Sequence, residues 1–138
     1  MREAYLAKLI INERSDQQIM VLKEKDGNRI LPVVISIFEA VSIDRALRKL
    51  EIPRPLTHDL MYSVIQHLSA ELDFIEIVSL IEGTYYGNLH LKRKSGAKIV
   101  VDCRPSDAVA LAVRANCPIM IQEDVLDEAG EIDMSDAF

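Results

Sequence analysis

Hydrophobic and polar positions along the chain divide it into short alternating runs and a few longer stretches of helical period. Residues 5–11 and 19–23 are β-prone runs separated by the polar segment 12–18, the pattern of an antiparallel pair. Asp26 and Gly27 mark a second turn, and 30–35 reads as a third strand in which Pro32 points to an edge or a strand start. At Ser36 the period changes. Ser36 and Glu39 have capping-box spacing, and Ala40, Ile43, Leu47 and Leu50 form an apolar stripe with Arg45, Arg48 and Lys49 facing out. This helix is expected to stop before Pro53. Thr57 is a good N-cap for a second helix reaching about Ala70, its buried side formed by Met61, Val64, Ile65 and Leu68.

The dense apolar run 74–80 predicts a central strand. After a turn at Gly83, residues 85–92 alternate, with Tyr85, Leu89 and Leu91 opposite Tyr86, Asn88, His90 and Lys92. A turn around Gly96 leads to KIVVDCRPSDAVALAVRA, residues 98–115, a short strand over 99–101 followed by a helix that buries Ala108, Leu111, Ala112 and Ala115. Pro105 suits the first helical position, and Asp107 two residues later suits the helix dipole. A short strand over 119–121 and a helical turn over 124–129 follow. The acidic, aperiodic tail is expected to be mobile.

A shift of 68 positions lays Val33 on Val101, Ser36 on Arg104, Glu39 on Asp107 and Ala40 on Ala108. Each half then reads strand, strand, strand, helix. The expected architecture is α+β: internally duplicated β-rich units forming a mostly antiparallel, curved or barrel-like sheet flanked by helices. Residues 1–130 are expected to form a single domain and 131–138 the tail.

Composition narrows the class. With 138 residues, 49% hydrophobic and 28% charged, the chain can bury a full core. No apolar run approaches the roughly 20 residues of a membrane span, and the N-terminus lacks the apolar core of a signal peptide. A cytoplasmic protein without membrane association is the expectation. Cys103 and Cys117 have neither CxxC spacing nor histidine partners at zinc-ligand intervals, so they read as reduced and structural. A net charge of −6 argues against a general polyanion binder, so any nucleic-acid activity must rest on a local basic patch or on metal ions.

FEA at 38–40, RPLTHDL at 54–60, EGTYYGNL at 82–89, DCRPSDAVALAVR at 102–114 and PIMIQEDVLDEAG at 118–130 resemble the bacterial and plant bifunctional nuclease family. The resemblance runs from about Tyr5 to Gly130. Ser36 stands where that family commonly has glycine, Tyr85 and Gly87 replace its usual FYA, and Cys103 replaces alanine; the charged motif positions are intact. The resemblance implies cleavage of both DNA and RNA by a compact α+β domain that self-associates as a homodimer or larger homo-oligomer.

A nuclease must neutralise the phosphate, supply a nucleophile and protonate the leaving oxygen. Arg54 and Arg104 are candidate phosphate clamps, because guanidinium binds phosphate through two parallel hydrogen bonds. Thr57 and Ser106, at two helix starts, join them as substrate-binding candidates, since unpaired N–H groups there favour an anion. His58 is the only histidine inside a motif and the best candidate for proton transfer, with Asp59 and Asp107 as catalytic acidic partners. Glu39 and Asp102 are candidate oxygen ligands for magnesium or manganese.

Each residue also has a structural reading. Thr57, Asp59 and Glu39 could cap helices, and Arg54 and Arg104 could pair with Asp107 and Asp59 in an ion network between the halves. His67 and His90 read as solvated surface residues. Tyr85 and Tyr86 could stack on bases or simply pack, and the basic sets Arg45, Arg48, Lys49 and Lys92, Arg93, Lys94, Lys98 could be a nucleic-acid track or solvated faces. The alternative to a nuclease is a non-catalytic ligand-binding or regulatory module whose charged motifs hold the fold together or bind a small anion.

Overall fold

Turn chemistry and alternation produce two antiparallel meanders, each followed by a helix. The computed structural model describes residues 1–135. The first meander is β1 (Arg2–Ile10), β2 (Gln17–Glu24) and β3 (Arg29–Ser36), leading into α1 (Ile37–Leu47) and α2 (Thr57–His67). The second is β4 (Ala70–Ile81), β5 (Thr84–Arg93) and β6 (Lys98–Cys103), leading into α3 (Pro105–Ala115). Then come β7 (Ile119–Ile121), α4 (Glu123–Ala129) and β8 (Glu131–Ile132). The β4–β5 hairpin turns through Glu82 and Gly83, with φ of 51° and 78°. Two positive φ values in a two-residue loop match the twist of the flanking strands.

One eight-stranded sheet has the order β6-β5-β4-β7-β1-β2-β3-β8. Short β7 joins the meanders, antiparallel to β1 and parallel to β4. The other pairings among the described residues are antiparallel. The fold is thus mixed α and β and mostly antiparallel; of the curved or barrel-like alternatives, the barrel-like one is not borne out, since among the described residues β6 and β8 are the two edges. Strand β8 covers only Arg29 and Ile30, so β3 becomes the edge beyond them, where Pro32 costs least. Of the acidic tail expected to be mobile, Glu131 and Ile132 pair with β3, and Asp133 lies 2.8 Å from Lys23 Nζ. Residues 136–138 lie outside the described residues.

Helix α3 is the hub of the core. Its residues 105, 106 and 108–112 are all buried, and it packs on α1, α2, β4 and β5. Ala108, Ala110 and Ala112 keep it thin enough for neighbours on all sides, while Val109 and Leu111 fill the space with Ile43, Ile75, Ile77 and Leu126. It ends at Asn116 in the left-handed conformation, φ 54°, before Pro118 is reached.

Several expectations change. Helix α2 stops at His67, and β4 begins at Ala70, earlier than 74. Val64 and Leu68 are exposed together with Leu60, while Met61, Tyr62 and Ile65 pack against the core, so α2 is apolar on both sides. Leu47 and Leu50 are likewise exposed; in α1 only Ala40 and Ile43 are buried. His90 is not simply solvated: its ring stacks on Phe74 at 4.1 Å and Nε2 lies 2.7 Å from Glu76 Oε1. His67 is exposed, as expected. The cysteines are free, and burial pushes the thiols of Cys103 and Cys117 up to about 12 and about 11, which keeps them protonated.

Candidate active site

Three helices begin close together, and the first turns of each supply the charged side chains. Arg104 is the N-cap of α3 and Ser36 that of α1, so the register between the halves places Asp107 and Glu39 at equivalent first-turn positions. Ser36 makes no side-chain capping bond, and the expected box with Glu39 does not form. Instead both acids turn to Arg104: Nη1 is 2.8 Å from Glu39 Oε1, and Nε is 2.8 Å from Asp107 Oδ2. The second oxygen of Glu39, Oε2, is buried without a hydrogen-bond partner among the described residues.

His58, the second residue of α2, is buried between the other two helices. Its Nε2 lies 2.9 Å from Asp107 Oδ1 on α3 and its Nδ1 lies 2.7 Å from Ser42 Oγ on α1. Burial pushes the Asp107 carboxyl up, but hydrogen bonds from Arg104 and His58, with the charge of Arg104, outweigh it and hold the group below its ordinary value. Arg114, in the last turn of α3, completes the chain. Its Nε is 2.8 Å from Asp59 Oδ1, and Nη2 reaches Ser42 Oγ at 3.2 Å and Ser42 O at 3.3 Å. Asp59 Oδ2 also accepts from Leu56 N–H at 3.0 Å, so the N-cap of α2 is Leu56, one residue before Thr57. Burial raises Asp59, and the bonds from Arg114 and Leu56 N–H bring it below its ordinary value.

Most of these residues, though not Asp59 or Arg114, border a groove of about 770 Å³. Glu39, Ser42, Arg45, Thr57, His58, Arg104 and Asp107 supply its polar wall, and Ile37, Phe38, Val41, Leu56 and Met61 its apolar one. Phe38 is 84% exposed, a large ring presented to solvent at the groove. Arg45, in the last turn of α1, is exposed at the same wall. Arg54 is also exposed but lies in the loop before α2, outside this wall. Ser106 is buried and faces an adjoining depression of about 340 Å³ that shares Glu39 and Arg104 with the groove. Asp59 faces a different depression, beside Arg114 and Tyr62.

Of the expected residues, then, the fold gathers His58, Asp107, Arg104, Glu39 and Thr57 at one groove. It leaves Arg54 and Asp102 outside, and it sets Asp59 behind Arg114. The oxygen ligands expected for magnesium or manganese do not converge, because Glu39 is engaged by Arg104 while Asp102 is exposed on β6 opposite Asn88. Among the described residues no group of three or more His, Cys, Asp or Glu side chains is placed to hold a metal ion. No helix among them is long and apolar enough to cross a membrane.

Sequence reasoning missed Ser42, Arg114 and Phe38. Two signals were available: Glu39 and Ser42 are three apart on α1, and Asp107 and Arg114 seven apart on α3, so each pair shares a helix face.

The family model described as "Bifunctional nuclease domain" matches residues 20–133. An uncharacterized protein of Mycobacterium tuberculosis is 39% identical over 130 residues, covering 94% of this chain and 77% of the relative. Bifunctional nuclease 2 of Oryza sativa subsp. japonica is 30% identical over 114 residues, covering 80% of this chain and 35% of the relative. Bifunctional nuclease 1 of Arabidopsis thaliana is 27% identical over 107 residues, with coverages of 75% and 33%. The chain therefore spans about a third of the length of these plant relatives.

Proposed function

The chain belongs to the bifunctional nuclease domain family, and from that premise we propose that it hydrolyses phosphodiester bonds in DNA and RNA at the groove between α1, α2 and α3. The observation that carries this reading is the His58–Asp107 pair, 2.9 Å apart, at a groove that Arg45 and Arg104 also border. An ionised carboxylate on one ring nitrogen orients the imidazole and stabilises its protonated form, as proton transfer requires. Arg104 and Arg45 are the phosphate ligands in this proposal, and exposed Phe38 offers a face on which a base can stack. The starts of three helices add partial positive charge at the same groove.

Self-association as a homodimer or larger assembly belongs to the same proposal, and the mass in solution, relative to the 15.6 kDa of one chain, reads it directly. An EDTA lane reads dependence on magnesium or manganese, for which the described residues bring no ligand set together.

A second reading is favoured by one observation: Arg104 and Arg114 are already neutralised by Glu39, Asp107 and Asp59. In that reading the charged side chains tie three helices together in a binding module. The test is cleavage of single- and double-stranded DNA and RNA by the purified chain, with magnesium, manganese or EDTA, beside an Asp107→Asn preparation purified identically. Cleavage by the parent and its loss in the folded variant support the nuclease. Equal cleavage by both marks a contaminant, and cleavage by neither favours the binding module.

A further inference from the structure

Both ring nitrogens of His58 are engaged within the protein. Asp107, held ionised, only accepts hydrogen bonds, so Nε2 carries the proton that faces it. The lone pair of the neutral ring then sits on Nδ1 and points at Ser42 Oγ, 2.7 Å away. Arg114 Nη2 reaches that oxygen at 3.2 Å and can only donate. The hydroxyl proton of Ser42 therefore has His58 Nδ1 as its acceptor. A solvent water has no ring nitrogen to give a proton to without displacing Ser42.

We propose that Ser42 is the nucleophile, attacking phosphorus to form a phosphoseryl intermediate with His58 as its general base. This rests on the nuclease reading above and names the attacking atom in it. Three observations beyond the hydrogen bond support it. Ser42 borders the groove, so Oγ stands beside the space a phosphodiester would fill. The Arg114 guanidinium, anchored by Asp59 and by Ala110 O, is placed to stabilise the alkoxide as it forms. The three groups come from three different helices, whereas a mid-helix serine with a local role bonds back to the carbonyl one turn earlier.

The chemistry balances in two displacements. As Oγ bonds to phosphorus, its proton passes to Nδ1; the P–O bond to the departing nucleotide, opposite Oγ, breaks, and that oxygen takes a proton from solvent. Water then attacks phosphorus from the side the nucleotide left and gives its proton to solvent, the P–Oγ bond breaks, and Oγ takes its proton back from Nδ1. One water is consumed, and one phosphomonoester and one hydroxyl end are formed. This is the nucleophile, base and orienting acid of acyl-transfer enzymes applied to phosphorus.

Two experiments test it. The purified parent chain is treated with a fluorophosphonate probe and the modified peptide is identified by mass. The expected label is on Ser42, absent in Ser42→Ala and at least about 100-fold slower in His58→Ala. Label elsewhere, or none, overturns the assignment. The parent chain is also given a phosphorothioate diester of defined configuration in isotopically labelled water. Two displacements give retention at phosphorus, whereas inversion means direct attack by water and overturns the proposal. Because that measurement uses the parent alone, it stands even where Ser42→Ala fails to fold. Nucleic-acid cleavage that survives in folded Ser42→Ala removes the nucleophile and leaves the nuclease reading intact. Label on Ser42 without any nucleic-acid cleavage upholds the activated serine and removes the nuclease reading.

Discussion

Arg104 Nη1 lies 2.8 Å from Glu39 Oε1, so the N-cap residue of α3 is tied to the first turn of α1 across the two halves of the chain. Glu39 is 12% exposed at its side chain and Arg104 65%, so the acid depends on this partner far more than the base does. Removing Arg104 leaves a mostly buried carboxylate unpaired, which typically costs about 1–3 kcal/mol. Arg104→Ala should lower the melting temperature, and adding Glu39→Gln should restore part of the loss by removing the stranded charge. A double variant no more stable than Arg104→Ala would show that this pair does not couple the helices.

Arg114 is the most buried of the site's cations, its side chain 8% exposed. It holds Asp59, the carbonyl oxygens of Ala110 and Ser42, and Ser42 Oγ. Truncation leaves Asp59 without its ion partner and two helices without their tie, a change of the kind that costs about 3–5 kcal/mol. Arg114→Ala should unfold at markedly lower denaturant, and Arg114→Lys should recover little, because a single ammonium cannot serve Asp59 and Ser42 at once. Near-parental stability of Arg114→Lys would contradict this.

Asp107 titrates below its ordinary value of 3.8 because the bonds from Arg104 and His58 outweigh burial. A depressed folded value means that its stabilising contribution is present in full above the unfolded value of 3.8 and is lost as pH falls through the lower folded one. Melting temperature should therefore fall with acidification below about pH 4. Asp59 is depressed in the same direction and adds to this limb. In Asp107→Asn the acid limb should be shallower. An unchanged pH profile of melting in that variant would contradict the ionised pairing.

The order of elements and the equivalence of the two helix starts were legible because they follow from local period and turn residues: Ser36 and Arg104 do occupy matching N-cap positions. His58 and Asp107 could be named for the same reason, as titratable groups at helix starts inside motifs. Asp107 could also be named as an acidic partner of His58, but Ser42 and Arg114 could not, because which helix faces cross is decided by packing. Arg54 stood in a motif yet lies in the α1–α2 loop, while Arg114, on the face of α3 that carries Asp107, reaches Asp59 fifty-five positions earlier. The exposure of Val64 and Leu68 escaped for a related reason: α2 is apolar on two sides, and only the tertiary contact of Met61 and Ile65 selects one. His90 alternated outward as expected, but the register of β4 against β5 sets Phe74 beside it. Register is not written in either strand alone.

The most direct measurement is the initial rate of phosphodiester cleavage by the parent chain and by His58→Ala, purified side by side and matched by melting curve. A group that carries a proton in the transition state contributes about 10²- to 10⁴-fold. The expected result is a loss of that size in His58→Ala on both DNA and RNA, with the variant still folded. A folded His58→Ala that cleaves at the parental rate would place the chemistry elsewhere and remove the groove between α1, α2 and α3 as the active site.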